Sequence, residues 1–221
     1  MNYDRRTFLL QASAGLALCA SAAPANAAGG SPPYDAKRGL EVLMAGNARF
    51  AAGKPACTPL TARRAAIAAG QNPFAMVLSC SDSRVPVDTI FDQEPGTIFG
   101  VRDAGNFVER TGLGSFEYGI LVLNVPLMLI LGHSDCGAVK AALAYDQHGE
   151  KQSGYIQYLV ERIAPGIKGS ANLSAAVAAN VRANMHAATS SDTIAKAAAE
   201  GKVTIAGGVY DLHSGKVTLL A

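Results

Sequence analysis

Three side chains that can bind a metal ion follow two apolar runs of the sequence. Cys80 comes directly after the run at 75–79, and His133 and Cys136 come just after the run at 127–131. Continuous apolar runs of this length are typical of strands buried on both faces of a parallel sheet. Ligands of open α/β sheets bind at the carboxyl ends of the strands. If the two strands are neighbours, we therefore expect the three side chains to converge.

Two thiolates and one imidazole form a ligand set that suits zinc with a fourth position to fill. The spacing His133-x-x-Cys136 lets a tight turn present both residues to one ion. Gly132 and Gly137 allow that turn and a close approach of the backbone. We expect Cys136 to begin the following helix, where the helix dipole favours its thiolate.

Asp82 and Arg84 lie in the same loop as Cys80 and bear on the fourth position. The aspartate could bind the metal itself, or it could pair with the arginine and leave the position open for water. A closed four-ligand site is structural, whereas an open site can generate hydroxide near neutral pH. The loop has the residues for both arrangements.

Two simpler interpretations apply to the same residues. Cys80 and Cys136 could form a disulfide, which would leave His133 and the Asp82/Arg84 pair unexplained. Asp82 and Arg84 could form an ordinary surface ion pair, worth ~0–1 kcal/mol.

Strand and helix patterns alternate along the chain. Apolar runs predict strands at 75–79, 97–101, 127–131, 203–206 and 217–220. Helical patterns lie near 36–52, 61–70, 112–124, 137–146, 153–164, 172–187 and 191–200. This order predicts an α/β fold with a mostly parallel central sheet, right-handed crossovers and flanking helices. The last strand is expected to pair antiparallel at an edge.

The first residues have the layout of a removable export signal. Arg5 and Arg6 precede an uncharged, alanine-rich stretch at 7–23, and an A-x-A site follows at 25–27. The stretch is shorter than the ~20 apolar residues that a membrane span needs, so no stable anchor is expected. The paired arginines resemble a twin-arginine signal, which predicts a periplasmic or otherwise exported protein. The predicted boundaries are a cleaved signal at 1–27, a flexible lead-in at 28–35 and one catalytic domain at 36–221.

Composition fits one globular domain with no nucleic-acid partner. The chain has 221 residues, of which 49% are hydrophobic and 16% charged, and its formal net charge is +2. Removal of 1–27 leaves Cys57, Cys80 and Cys136. An odd number of cysteines cannot form a complete set of intramolecular disulfides. Cys57 is expected to be a spare thiol.

Two motifs resemble the zinc-binding motifs of the β-class carbonic anhydrases. They are C-S-D-S-R-V-P at 80–86 and G-H-S-D-C-G-A-V at 132–139. The resemblance extends to segments at 46–50, 101–106, 115–119 and 201–211, and so covers the chain from about residue 36 to its end. It implies that Cys80, His133 and Cys136 hold one zinc per subunit. Asp82 would be either the fourth ligand or the partner of Arg84, and these two would be the catalytic pair.

The resemblance implies reversible hydration of carbon dioxide to bicarbonate and a proton by zinc-bound hydroxide. Asp82, held by Arg84, would orient this nucleophile toward the substrate. The family also implies a homodimer or a higher homo-oligomer. Two other interpretations stay open: hydrolysis of carbonyl sulfide or carbon disulfide, and a non-catalytic zinc-binding or thiol-redox protein.

The chain departs from the family pattern at three points. Asp103 stands where the family often has asparagine, and Glu94 precedes Pro-Gly where some members have a glutamine that contacts substrate. The chain has no tryptophan, which argues against the inhibitory bicarbonate site of some bacterial members in its usual form.

Overall fold

A five-stranded sheet forms the centre of the protein. The computed structural model describes residues 32–56, 64–65 and 67–220. The strands are β1 Ala75–Cys80, β2 Ile98–Asp103, β3 Leu127–His133, β4 Thr204–Tyr210 and β5 Val217–Leu220. Their order across the sheet is β2-β1-β3-β4-β5. The first four strands are parallel, and β5 pairs antiparallel with β4 at the edge. The predicted fold class is confirmed.

Helices cover both faces of this sheet. They are α1 Ala36–Ala51, α2 Val87–Ile90, α3 Arg110–Leu121, α4 Gly137–His148, α5 Tyr155–Ile167, α6 Leu173–Ala188 and α7 Asp192–Ala199. The short α2 was not predicted, because four residues are too few to show a helical period. Of the helix predicted at 61–70, the structure describes 64–65 and 67–70, and 64–65 and 67–68 are helical.

Alternate side chains of β3 enter two different hydrophobic clusters. Leu127 and Leu129 pack in a cluster that includes Leu43 of α1. Met128 and Ile130 point to the opposite face and pack in a second cluster. Every residue of β1 and of β3 is buried. The two strands that lead to the predicted metal ligands are thus the most enclosed part of the sheet.

Three strands run at least two residues further at their carboxyl ends than their apolar runs predicted. β2 reaches Asp103, β3 reaches His133 and β4 reaches Tyr210. The register pairs Cys80 with Asp103 and His133 with Tyr210. Polar side chains and glycines interrupt the apolar pattern at these strand ends, yet their backbones stay in the ladder. The extensions bring the chemically active residues into the rigid part of the sheet.

Two helix ends differ from the predictions by three residues. α3 ends at Leu121 rather than near 124, and Asn124 has a φ of 55°, a left-handed conformation that helices do not contain. α5 continues past 164 and includes Pro165 in its last turn. A proline there removes only one backbone hydrogen bond close to the helix end.

Several predictions concern residues outside the described ranges. These are the export signal at 1–27, the first part of the lead-in and the spare thiol Cys57. Within the described ranges, no helix combines the length and apolar character required to cross a membrane.

Candidate metal centre

The two predicted motifs meet at the carboxyl end of the sheet. Because β1 and β3 are parallel neighbours, their ends lie side by side. The Sγ atoms of Cys80 and Cys136 and a ring nitrogen of His133 all lie within 4.8 Å of one another. All three residues are buried, and both cysteines are free thiols. The predicted convergence is present, and the disulfide alternative is not the arrangement observed.

The turn after β3 places Cys136 at the start of a helix as predicted, but the two glycines do not both have the predicted roles. Cys136 is the N-cap of α4, as expected. The left-handed residue of the turn is Asp135, with a φ of 54°, and a Cβ atom on Gly137 would meet nothing within 4 Å. The close approach occurs instead at Gly132, where a Cβ would lie 2.7 Å from Val181.

His133 presents one ring nitrogen to the two sulfurs. Its Nδ1 lies 2.8 Å from the carbonyl oxygen of Ser134, which assigns the ring proton to Nδ1. Nε2 is buried and has no hydrogen-bond partner among the described residues. Ser134 is itself held, since its N–H donates to Tyr210 O at 2.9 Å and its Oγ accepts from Leu212 N at 2.9 Å. An unpartnered buried nitrogen beside two thiols is what a metal site requires.

Hydrogen bonds favour the thiolate form of Cys80. The Cys136 thiol is the largest influence and holds the pKa of Cys80 well below its usual range, although burial opposes this. The N–H groups of Gly105 and Asp82 donate to the Cys80 sulfur at 3.3 and 3.4 Å and act in the same direction. The Cys80 sulfur, helped by burial, in turn raises the pKa of Cys136. A divalent cation would stabilise both thiolates.

Asp82 pairs with Arg84 through both carboxylate oxygens. The guanidinium donates to Oδ1 at 2.9 Å and to Oδ2 at 2.7 Å, and the backbone N–H of Arg84 donates to Oδ1 at 2.9 Å. The Arg84 side chain thus holds the pKa of Asp82 well below its usual range. Asp82 Oδ2 lies 4.0 Å from His133 Nε2, so the carboxylate sits beside the three clustered side chains. This geometry is the one with Asp82 turned to Arg84.

Comparison with known proteins gives the family of this chain. A family model described as carbonic anhydrase matches residues 75–217, the region that holds both motifs. The chain belongs to the carbonic anhydrase family. The predicted enzyme class, reversible hydration of carbon dioxide with zinc as cofactor, is confirmed at this level.

Relatives of this carbonic anhydrase come from several organisms. "Carbonic anhydrase 2" of Mycobacterium tuberculosis is 40% identical over 186 residues, which cover 81% of this chain and 90% of that protein. A Pseudomonas aeruginosa carbonic anhydrase is 32% identical over 167 residues, covering 70% and 76%. The solved β-carbonic anhydrase CafA of Aspergillus fumigatus is 27% identical, with a TM-score of 0.63 and coverage of 82% and 90%. A solved chain from the structures of two tetrameric β-carbonic anhydrases of Sordaria macrospora shares the fold at 24% identity, with a TM-score of 0.63 and coverage of 83% and 98%.

Arg102 holds the loop of this carbonic anhydrase that contains Asp82. Its guanidinium donates to the carbonyl oxygens of Cys80 at 3.0 Å and of Asp82 at 2.8 Å. The Ser81 N–H also donates to Asp103 O at 2.8 Å. This role of Arg102 was not predicted from the sequence. The feature that could have indicated it is a charged residue at the end of an otherwise apolar strand.

Asp103 lies at the end of β2 next to the same loop. Burial raises its pKa to about 7, and the N–H of Phe107 donates to its Oδ1 at 3.0 Å. An asparagine at this position could accept the same hydrogen bond without a charge. The departure from the family pattern therefore introduces a partly buried ionisable group beside the centre.

Proposed function

We propose that Cys80, His133 and Cys136 hold one zinc ion per subunit, with which the protein interconverts carbon dioxide and bicarbonate. The observation that carries the assignment is the clustering of their three ligand atoms within 4.8 Å, beside an aspartate held by an arginine. Two sulfurs and one neutral imidazole nitrogen match the ligands of catalytic zinc sites that keep one position open.

The three side chains are placed so that they can bind this ion together. His133 Nε2 is unpartnered among the described residues, and the Nδ1 contact with Ser134 fixes the ring orientation. Cys80 already favours its thiolate. When bound, zinc lowers the pKa of a water molecule toward 7 and so supplies hydroxide near neutral pH.

Asp82 acts as the orienting group. Because Arg84 keeps it ionised, its carboxylate can accept a hydrogen bond from the attacking oxygen and direct a lone pair at the substrate carbon. The bidentate contact with Arg84 leaves Asp82 with a defined direction. The alternative is that Asp82 binds zinc in a resting form, and the pairing with Arg84 opposes it.

An apolar surround supports a small, nonpolar substrate. Cys80 and Cys136 belong to a buried cluster that also contains Phe107, Val139 and Ile163. Apolar walls exclude water and admit carbon dioxide without a hydrogen-bonding requirement.

The protein is also proposed to be a homo-oligomer, at least a dimer, that is exported through the twin-arginine route after the signal at 1–27 is recognised.

Replacement of the ligands tests the assignment. Cys80→Ser, His133→Ala and Cys136→Ala should each lose stoichiometric zinc and carbon dioxide hydration together, because two protein ligands hold a tetrahedral ion poorly. Cys57→Ser is the matched control and should keep both. Zinc content is measured by elemental analysis on the sample used for stopped-flow hydration. A Cys136→Ala protein with full zinc and full activity would refute the site.

A further inference from the structure

Helix α6 presents two buried asparagines to the segment that contacts Cys80. Asn180 and Asn184 are 1% and 7% exposed, and they are four residues apart on one helix face. Val177 and Val181 share that face and are buried as well. A buried amide is costly unless it is hydrogen-bonded, so two of them in an apolar face call for an explanation.

The two asparagines bond to both ends of the segment 105–108. Asn180 Nδ2 donates to the carbonyl oxygen of Gly105 at 2.8 Å. The N–H of Val108 donates to Asn184 Oδ1 at 2.6 Å. Asn184 Nδ2 donates to Asn180 Oδ1 at 3.0 Å and to its backbone oxygen at 2.8 Å. The pair is therefore one connected network that holds the segment against α6.

Gly105 is the residue through which this network reaches the metal centre. Its N–H donates to the Cys80 sulfur at 3.3 Å, while its carbonyl oxygen is the acceptor for Asn180. Its φ is +98°, and a Cβ atom there would lie 2.5 Å from Ile163. Only glycine fits this conformation and this space, so the segment is tightly confined where it meets Ile163.

The same helix also supports the strand that carries His133. Val181 and Val177 would lie 2.7 and 3.2 Å from a Cβ on Gly132, the residue before His133. One face of α6 thus contacts the backbone next to two of the three ligands.

We propose that Asn180 and Asn184 are positioning residues of the metal centre, which hold the Gly105 N–H on the Cys80 sulfur. This inference rests on the proposed function, in which Cys80 binds zinc. A hydrogen bond to a ligating thiolate reduces the charge that the sulfur donates to the metal and fixes the sulfur in place. Loss of the network should weaken zinc binding and increase the donation from sulfur.

Asn47 of α1 provides a matched control for a purely structural role. It is 3% exposed, and its Nδ2 donates to Gly215 O at 2.9 Å and to Ile90 O at 3.2 Å. Its Oδ1 accepts from Val217 N at 2.8 Å. It is nearly as buried as Asn180, and both its amide nitrogen and its amide oxygen are hydrogen-bonded, but its partners are backbone groups of other segments.

The experiment compares Asn180→Leu with Asn47→Leu in the full-length protein. Zinc affinity is measured by competition with a chromophoric chelator, and the thiolate-to-metal absorption band is recorded after cobalt(II) substitution. We expect Asn180→Leu to bind zinc about 10–100-fold more weakly. Its cobalt band should move to longer wavelength, because a sulfur without its N–H donor gives up an electron more easily. Asn47→Leu should match the wild type in both measurements even where it lowers thermal stability.

Wild-type zinc affinity and an unmoved cobalt band in Asn180→Leu would overturn the proposal, as would equal losses in Asn47→Leu. If Asn180→Leu does not fold, Asn184→Ala, which leaves Asn180 in place, is judged by the same criteria. Cys80→Ser is run alongside. A wild-type protein that binds zinc no better than Cys80→Ser would contradict the proposed function itself, not only this inference.

Discussion

Asp82 and Arg84 would be unremarkable as a surface ion pair, but their surroundings differ from those of such a pair. Asp82 is 19% exposed, and Arg84 contributes three hydrogen bonds to it, one from its own backbone. Exposed pairs such as Arg38–Glu41, at 62% and 50%, have one contact and lie on a helix surface. At the residue scale, the first pair is built to hold a carboxylate in one direction, and the second is not.

Asp82→Asn and Arg84→Ala should both keep zinc but lose activity. Asp82→Asn removes the charge that orients the attacking oxygen, and Arg84→Ala frees Asp82 to turn toward the metal. We expect a fall in the hydration rate of about 10–100-fold for each. Zinc content and stopped-flow rates are measured on the same samples.

Arg38→Ala is the control for this experiment and should retain the wild-type rate. Zinc-loaded Asp82→Asn and Arg84→Ala proteins with unchanged rates would show that the pair has no catalytic role, while the three-ligand site would stand.

Asp103 should make stability depend on pH. Its pKa in the folded protein is raised to about 7 by burial, above the value of about 4 in an unfolded chain. Between these values the folded state binds more protons, so the free energy of unfolding falls as pH rises through this window. Asp103→Asn keeps an acceptor for the Phe107 N–H and should be more stable than the wild type at pH 8, by on the order of 1–2 kcal/mol. Urea unfolding at pH 5 and pH 8 measures this, and equal pH dependence in both proteins would contradict it.

At the element scale, the contact of α6 with β3 depends on the absence of a side chain at Gly132. Gly132→Ala would place a methyl group 2.7 Å from Val181 Cγ2 and 3.2 Å from Val177 Cγ1. Overpacking of this kind costs about 1–3 kcal/mol, so the melting temperature should fall. Gly100→Ala on edge strand β2 is the control, because a Cβ there meets nothing within 4 Å. Thermal unfolding followed by circular dichroism measures the melting temperatures. Equal melting temperatures for the two variants would contradict this explanation of the packing.

The positions of the three ligands could be predicted because their signal is local. Cys80, His133 and Cys136 each follow an apolar run, and parallel strands bring such positions together. The support from α6 could not be predicted, because Asn180 and Asn184 stand in an alanine-rich helix and meet residues 105 and 108 only after folding. The sequence also left two directions open for Asp82, since loop residues have no period that would reveal where a side chain points.

At the scale of the whole molecule, alternating strand and helix patterns were sufficient to predict the fold class. Strand order was not read from the sequence, because the placement of β1 between β2 and β3 depends on which helix crosses which face of the sheet. The oligomeric state also cannot be predicted from the sequence pattern of a single chain. The proposal of a homo-oligomer rests on the family.

Export by the twin-arginine route is a prediction for the full-length chain. A thiolate site is best loaded with metal before it meets an oxidising compartment, and this route carries folded proteins. Changing both Arg5 and Arg6 to lysine should leave active enzyme in the cytoplasm, whereas Arg38→Lys should not alter export. Cell fractionation followed by zinc and activity assays measures this. Normal export of the double variant would exclude the route but not the enzyme assignment.

One zinc ion at Cys80, His133 and Cys136 should be responsible for carbon dioxide hydration. A titration of the chelator-treated protein with zinc, followed by stopped-flow hydration at each point, tests this dependence. We expect the rate to rise in proportion to bound zinc and to stop rising at one zinc per subunit. We expect no such rise for Cys136→Ala. A full rate before zinc is added, or an equal rise in Cys136→Ala, would contradict it.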